Sequence, residues 1–576
     1  MKLLSVLYKL QWLGLMLFLF VPSFAWGVPS SGIANKWVRK HPFTLMGTSI
    51  HSSLLDIKEY RGAGFSVLLA WAETPKQTAL AAASHFPWQA HLLPADKGPN
   101  TWFQYLVTQS MPHAGGQAWL VHDEPNRLQM PNIAKAALWL RQKSPHTLVY
   151  GNIFPSYASA QLLYGNTSQP HYAWSTYIDD YLTIIKPDIL MYDHYPFETT
   201  GGTKKSFFSD LMIARNKAMT ANIPYFTFLQ SWANAAVNMR LPSESDVRMQ
   251  AFSHLAAGYS GFAYFIYDYG SGSNGLLNSK GQPTPLYFIV AKLNAEITKL
   301  GRCLRFLTST DVRFLRGKYK KYVITLKNPV PSGLMTWSNG AGGDPHIIDA
   351  GVNSSIPAYQ GKEKNGLIGF FTDDSKKHYF MLVNLSHAAN KTANDTKLAL
   401  WIQFDHSINS ILELDRMTGK TRLVRLQNHR LNVILLGGSG RLYKYKNSAF
   451  APDVALPHEF VTSEPVIFDS GTPDNGTPDN GTLDTYQSEH NKVLEDLKET
   501  ILETKKIQDK MIMRDQDATR DNVTSQEKSS LIEGQQKDVR KTGCGCYQTN
   551  DMTFFPFFLL FLFVVVVFNR AKEGKR

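Results

Sequence analysis

Between about Lys36 and Leu300 the chain alternates short apolar runs with longer amphipathic or polar intervals. Eight runs stand out: Phe43–Met46, Phe65–Ala70, Trp88–Leu93, Ala118–Val121, Leu148–Tyr150, Ile189–Met191, Tyr225–Leu229 and Phe262–Ile266. Continuous apolar runs of this length suit strands buried on both faces, as in a parallel sheet. The intervals show helical spacing. Ile133, Ala136, Ala137 and Leu140 share one face, and Pro131 suits a first helical turn. Ser243-Glu-Ser-Asp246 ahead of Val247–Ala257 reads as a capped helix start. Eight strand–helix repeats over about 265 residues have the size and rhythm of a (β/α)8 TIM barrel. The rival, a doubly wound sheet, expects a Gly-x-Gly-x-x-Gly turn after a strand, and the sequence has none.

The pattern changes after Pro285. A helix carrying Tyr287, Ile289–Leu293, Ile297 and Leu300 leads into short alternating runs over residues 303–447. These runs are Tyr322–Leu326, Gly366–Thr372, His378–Asn384, Leu398–Phe404, Ile411–Leu414, Leu431–Leu436 and Arg441–Tyr445, with a hairpin turn at Met417-Thr-Gly-Lys420. They predict a small antiparallel β-sandwich or barrel. From Ala451 the chain turns polar, and a Gly-Thr-Pro-Asp-Asn repeat over 471–482 reads as a flexible linker. Linker and charged stalk together span 451–550; Leu494, Leu497, Ile501, Gln508 and Met511 fit a heptad too loosely for a coiled coil.

Both ends carry membrane signals. Residues 1–27 combine Lys2 and Lys9, an apolar run Trp12–Phe20 and small residues near a cleavage point, a secretory signal peptide. A second apolar stretch over 552–569, followed by a basic stub at 570–576, reads as one transmembrane helix with a cytoplasmic tail, giving a type I single-pass protein. A glycolipid anchor is the rival, although such signals end on the apolar tail rather than on charges. Sequons at Asn166, Asn353, Asn384, Asn390, Asn394, Asn475, Asn480 and Asn522 all precede that stretch, so all would be lumenal or extracellular.

Charge and cysteine content narrow the class. The net charge of +13 is scattered rather than gathered in a basic stripe interleaved with aromatics, which argues against nucleic acid. With three cysteines, Cys303, Cys544 and Cys546, neither folded domain can hold an internal disulfide. Cys303 fits a buried apolar position, and the other two could join chains beside the membrane. Oligomeric state is not readable.

The candidate chemistry lies at the ends of the expected strands. Strand four ends in His122, Asp123 and Glu124, strand six in Tyr192-Asp-His-Tyr195, strand seven in Gln230-Ser-Trp232 and strand eight in Tyr267-Asp268. His51, Trp71 with Glu73, and Asp96 follow strands one to three. The carboxyl ends of barrel strands are where such folds keep their active sites. Carboxyls ringed by Trp, Tyr and His suit a carbohydrate pocket, with aromatics stacking on sugars and carboxyls moving protons. His122 and His194 lack a His-x-x-x-His companion and read as hydrogen-bonding groups; no metal or cofactor is expected.

These motifs resemble the clan A glycoside hydrolases, most of all relatives of the family 42 β-galactosidases. Val121-His-Asp-Glu-Pro125 is similar to the clan's strand-four motif, and Pro187-Asp-Ile-Leu-Met-Tyr-Asp-His-Tyr-Pro196 to its Asp-x-Tyr-Pro strand. Phe252–Tyr267 with Gly275–Pro285, and Leu435–Tyr443, are similar to the last barrel strand and to the end of the following sandwich. The resemblance implies Glu124 as general acid, with Asp123 in place of the usual Asn. It also implies a nucleophilic Glu ending strand seven, where this chain has Leu229 and Gln230; no acidic residue occurs between Asp210 and Glu244. Neither side chain can form a glycosyl ester.

Three outcomes remain open: Asp193 or Asp268 supplies the second carboxylate, a substrate acetamido group attacks, or the pocket binds glycans without cleaving them. The leading expectation is hydrolysis with Glu124 as acid and Asp193 as second carboxylate, Asp268 being the reserve. His51, Trp71, His122, Asp123, Tyr192, His194, Tyr195, Gln230 and Trp232 are the expected substrate contacts.

Overall fold

Each of the eight apolar runs overlaps a strand, and the strands close into one parallel barrel in sequence order. They are β1 (Thr44–Ser49), β2 (Leu68–Ala70), β3 (Trp88–His91), β4 (Gly116–Asp123), β5 (Leu148–Ile153), β6 (Leu190–Asp193), β7 (Tyr225–Gln230) and β8 (Gly261–Phe265). The computed structural model describes residues 33–92, 95–165, 173–269, 273–321, 324–353, 364–445 and 450. All of these belong to one of the two compact units into which the chain divides. The expected leader, linker, stalk, terminal apolar run, Cys544 and Cys546 lie outside the described residues, as do the sequons at Asn166, Asn475, Asn480 and Asn522. Among the described residues no helix is long and apolar enough to cross a membrane.

The strands read as unbroken apolar runs because each serves two cores. Met46, Leu69, Ala118, Leu120, Tyr150, Met191, Phe226, Phe228 and Ala263 fill the barrel interior. Their sequence neighbours, among them Leu45, Leu68, Trp119, Val121, Val149, Leu190, Tyr192 and Phe262, face the helix layer. This two-residue alternation decides which side chains reach the mouth. A first helix, α1 (Ile33–Lys40), adds Ala34 and Val38 to the interior cluster.

The helical layer comprises α2 (Ile57–Gly62), α3 (Thr74–Ala83), α4 (Thr101–Ser110), α5 (Met130–Lys143), α6 (Ala160–Tyr164), α7 (Trp174–Ile184), α8 (Phe207–Thr220), α9 (Glu244–Ala256) and α10 (Pro285–Leu304). Pro131 sits in the first turn of α5, and Ser243 with Asp246 closes a capping box on α9, as their spacing implies. Cys303 is buried.

Beyond α10 two sheets share one apolar core. The larger has the order β12-β9-β14-β15-β20-β17-β18 and the smaller β13-β16-β19. Their strands are β9 (Thr308–Leu315), β12 (Met335–Thr336), β13 (Ile347–Val352), β14 (Gly366–Thr372), β15 (His378–Asn384), β16 (Leu398–Phe404), β17 (Ser410–Leu414), β18 (Thr421–Arg425), β19 (Arg430–Leu435) and β20 (Gly440–Tyr445). A separate hairpin joins β10 (Lys318–Lys321) to β11 (Ile324–Lys327). The pattern missed β9, β10, β12, β13 and β18. Apart from the hairpin strand β10, they are half-exposed or at a sheet edge, so the apolar signal is thin. Asn384 is a sequon in sequence only. Its buried amide donates to the carbonyls of Thr396 at 2.9 Å and Leu435 at 3.1 Å, which leaves no room for a glycan.

The sandwich seats on α9 without clearance. A Cβ on Gly369 would lie 1.9 Å from the Ala256 carbonyl oxygen, so only glycine fits that position of β14.

Candidate active site

The site is built where β4, β5 and β6 end. The register between β4 and β5 slips after Leu120, and pairing resumes at Asp123 opposite Asn152. Such an irregularity re-aims the side chains after it. The Asn152 amide donates to the Asp123 carboxylate at 2.9 Å. Glu124 follows with φ +50°, in the left-handed region that a residue with a Cβ enters at a cost of roughly 1–2 kcal/mol. The turn is held on both sides: Glu124 N–H donates to the Asn152 carbonyl at 2.9 Å, and the Tyr177 hydroxyl donates to the Pro125 carbonyl at 2.6 Å. Strain held in place this way is a common mark of a functional residue.

Asp193 reaches the same point by strand alternation. It stands two residues beyond the interior Met191 and is 5 % exposed. The carboxyls of Glu124 and Asp193 lie close enough for each to act on the other's protonation. Burial, then the charges of Asp193 and Asp123, push the Glu124 carboxyl well above the usual carboxylate range. Burial and the Asp123 charge raise Asp193 as well, against the hydrogen bond it receives from Glu124. Burial raises Asp123 against the bond from Asn152. Three buried carboxyls this close cannot all ionise, so the cluster as a unit is driven to hold protons. One oxygen of Asp193 is buried with no partner in the protein.

Tyr157 and Tyr195 stand near the pair, and further aromatic rings pack against Tyr195. The Tyr195 ring meets Phe265 at 5.8 Å and Trp232 at 6.4 Å, and its hydroxyl is held protonated by burial and by the charges of Asp193, Glu124 and Asp123. Trp71 stacks on His91 at 4.0 Å and stands edge-on to Phe228 and Phe265. The buried indole N–H of Trp232 has no partner in the protein. Tyr157, on the loop after β5, is 41 % exposed; its hydroxyl accepts from Tyr195 N–H at 3.3 Å, and Lys204 Nζ lies 4.9 Å from its ring.

Several expected contacts are engaged elsewhere. Tyr192 points into the helix layer, where its hydroxyl lies 2.9 Å from His254 Nε2, so it cannot reach a ligand in the mouth. His194 is fully buried beside Ser206 at 3.1 Å and Asp210 at 3.6 Å, and burial holds its ring neutral, its pKa down to about 3. Its role is to support the loop rather than to meet solvent. Gln230 is buried, with its amide nitrogen donating to the Arg240 carbonyl at 2.7 Å and its amide oxygen accepting from Phe197 N–H at 3.1 Å. It ties two loops together. Leu229 faces the helix layer. Asp268 accepts from the backbone N–H of Ile50 at 2.9 Å and His51 at 2.8 Å through one oxygen, fastening the loop after β1, while its other oxygen is buried with no partner in the protein. His51 is placed by that contact, and Glu73 receives Ser52 N–H at 2.8 Å. His122 is buried, its Nδ1 2.6 Å from the Asp123 carbonyl, and orients the strand end.

The sequence reading missed Asn152, Tyr157 and Tyr177. Asn152 had a signal: it lies two residues beyond the interior Tyr150 and is the polar group that alternation sends to the mouth. Tyr157 lies in a loop, where no period applies. Among the described residues no group of three or more His, Cys, Asp or Glu side chains is placed to hold a metal.

No family model matches the sequence, and no curated protein is similar to it. Solved structures that resemble the fold include β-galactosidase from the psychrophilic Marinomonas ef1, at 9 % identity and TM-score 0.35, with 46 % of this chain and 62 % of that one covered. Another is the glycoside hydrolase family 30 subfamily 8 xylanase Xyn30A of Clostridium acetobutylicum, at 10 % identity and TM-score 0.34, covering 70 % and 95 %. A third is the carboxyl transferase domain of Rhizobium etli pyruvate carboxylase with pyruvate, at 13 % identity and TM-score 0.30, covering 46 % and 48 %. The match spans less than two thirds of the galactosidase and of the carboxyl transferase domain. Glycoside hydrolases are thus among the chains similar to this one, family 42 is not singled out, and likeness at this level decides nothing about the chemistry.

Proposed function

We propose that this protein hydrolyses glycosidic bonds, with Glu124 as the general acid and Asp193 as the second carboxylate. The observation that carries this reading is the buried Glu124–Asp193 pair, in which burial and the neighbouring charges push the Glu124 carboxyl well above the usual carboxylate range. A leaving alkoxide needs a proton at the moment the bond breaks, and a carboxyl with a raised pKa supplies it. The neighbouring carboxylate then stabilises the cationic sugar. Trp71, Tyr157, Tyr195 and Trp232 are the side chains suited to pack on sugar faces. The expected leader and terminal apolar run support a location for this activity in the secretory pathway, on the lumenal or outer side of a membrane. Family 42 ancestry belongs to the same proposal.

A second reading has its own support. The β7 position that carries the nucleophile in clan A enzymes is held here by Gln230 in backbone contacts, which suits a protein that binds glycans without cleaving them. A panel of chromogenic glycosides on the full chain, with Glu124→Gln in parallel, separates the two. Hydrolysis that falls roughly 10²–10⁴-fold in the variant supports the enzyme. No turnover by either protein, together with retained glycan binding, supports the second reading.

A further inference from the structure

The barrel mouth carries buried acceptor atoms with no hydrogen-bond partner among the described residues. They include Oδ1 of Asn152, Asp193 and Asp268, and Nε2 of His91. These four residues are at most 5 % exposed and stand at or just after the carboxyl ends of β5, β6, β8 and β3. Asn152 and Asp193 lie two residues past the interior Tyr150 and Met191, and His91 lies between Ala90 and Leu92 of the helix layer, so alternation turns all three inward. His91 Nδ1 is 3.2 Å from the Trp71 carbonyl and so carries the hydrogen. Burial holds that ring neutral, its pKa down to about 3, which leaves Nε2 an acceptor. Buried acceptors left unpaired cost free energy, and several in one mouth point to a ligand rich in donors. The orphaned donors there, the Trp232 N–H and the Gln89 amide two residues below His91, are matched by hydroxyl oxygens.

Charge narrows the kind of donor. The register sets Asp123 opposite Asn152, and Asn152 opposite Met191, two residues short of Asp193. The three polar groups thus occupy neighbouring strand ends, and the Asn152 amide nitrogen donates to Asp123 at 2.9 Å. Elsewhere, buried Asp246, Glu296 and Glu413 each have a guanidinium within 2.7 Å. Asp123, Glu124 and Asp193 have no ion-pair partner among the described residues, and no cation is among the groups that shift them. Lys204, 4.9 Å from the Tyr157 ring, is paired with Glu198 at 3.9 Å. A neutral hydroxyl can fill an orphaned acceptor but leaves the carboxyls uncompensated. An ammonium brings three donors and the missing charge together.

We infer that the mouth takes a sugar carrying a free amino group, whose ammonium donates to the unpaired oxygens of Asp193 and Asn152. That a sugar carries the charge rests on the hydrolytic reading above; the need for a cation does not. The ammonium compensates Asp123 and Asp193 and leaves Glu124 to act as the acid. His91 Nε2 and the Trp232 N–H take the ring hydroxyls, one as acceptor and the other as donor.

The test is calorimetric titration of the full chain at mildly acidic pH, where the amines are charged. Glucosamine and galactosamine are compared with glucose, galactose and the two N-acetylated amino sugars, and ethylammonium stands for a cation without a sugar. The expected result is an amino sugar bound roughly tenfold or more tighter than its neutral parent, its N-acetyl form and ethylammonium, the scale of one charge-assisted hydrogen bond. That preference should vanish in Asp193→Asn. No preference for an amino sugar, or one that survives Asp193→Asn, overturns the inference and leaves the hydrolytic reading in place. Ethylammonium bound as tightly as the amino sugar overturns it too. A preferred amino sugar whose 4-nitrophenyl glycosides are not cleaved in either anomeric form upholds the inference and overturns the hydrolytic reading alone.

Discussion

Two buried aspartates of the same barrel have opposite surroundings. Asp193, at the mouth, has two carboxyls for neighbours, and its own is pushed upward by burial and by Asp123. Asp246, in the first turn of α9, is raised by burial alone but pulled below the usual range by hydrogen bonds from His387 and Arg240. The distances are 2.7 Å to His387 Nδ1, 2.5 and 3.1 Å to the Arg240 guanidinium and 2.8 Å to Ser243 N–H. His387 comes from the sandwich, so Asp246 joins two domains. A nearby network repeats the arrangement, with Glu296 held by Arg248 at 2.5 Å and Arg416 at 2.6 Å. Satisfied charge marks the places where the fold is fastened, and the raised carboxyls at the mouth are of the kind that cluster at functional sites.

Breaking the fastened carboxylate gives the largest stability effect. Asp246→Asn leaves Arg240 and His387 short of an anion, and a loss of about 3 kcal/mol or more is expected in denaturant unfolding. Its contribution is complete above the pKa of an unfolded Asp, near 4, and fades as pH falls through the depressed folded value. Acidification therefore costs the wild type more than it costs the variant.

Next in size is Gln230→Glu, which places a carboxylate where clan A enzymes have one. The new group would face the Arg240 carbonyl in place of an amide donor, so the expectation is a loss of about 2 kcal/mol and no gain in glycosidase rate. A rate increase would show that the β7 end opens on the sugar after all.

The smallest effect has the opposite sign. Asp193→Asn removes mutual repulsion at the mouth and should stabilise the protein by on the order of 1 kcal/mol at neutral pH, read as a raised Tm. A raised folded pKa means the native state holds protons that the unfolded chain releases. Wild-type stability therefore falls as pH rises from about 4 through the folded value, and the slope flattens in the variant.

Much of this was legible in the sequence, and the exceptions have physical causes. The eight barrel strands announced themselves because both of their faces meet apolar cores. Glu124 and Asp193 were readable as polar groups ending such runs. Tyr192 was misplaced because adjacent strand residues cannot both face the mouth: if Asp193 does, Tyr192 does not. The same rule would have found Asn152. It fails at Asp123 and Glu124, where a register slip and a left-handed residue reset the alternation, and neither is visible without neighbouring strands. Asp268 and Gln230 sit at strand ends, as the pattern implied, yet loops from distant segments take one oxygen of Asp268 and the amide of Gln230. Long-range contacts of that kind leave no local trace. The sandwich strand β18 escaped notice because it is an exposed edge.

The central claim is that burial, and then the charge of Asp193 beside it, pushes the Glu124 carboxyl well above the usual carboxylate range. Carbon-13 NMR of the labelled glutamate side chains, titrated in the wild type and in Asp193→Asn, tests it without any substrate, with Glu124→Gln identifying the resonance. The account predicts a Glu124 midpoint well above the ordinary glutamate value in the wild type, moving down once Asp193 is neutral. An ordinary midpoint, unchanged by the substitution, would contradict it.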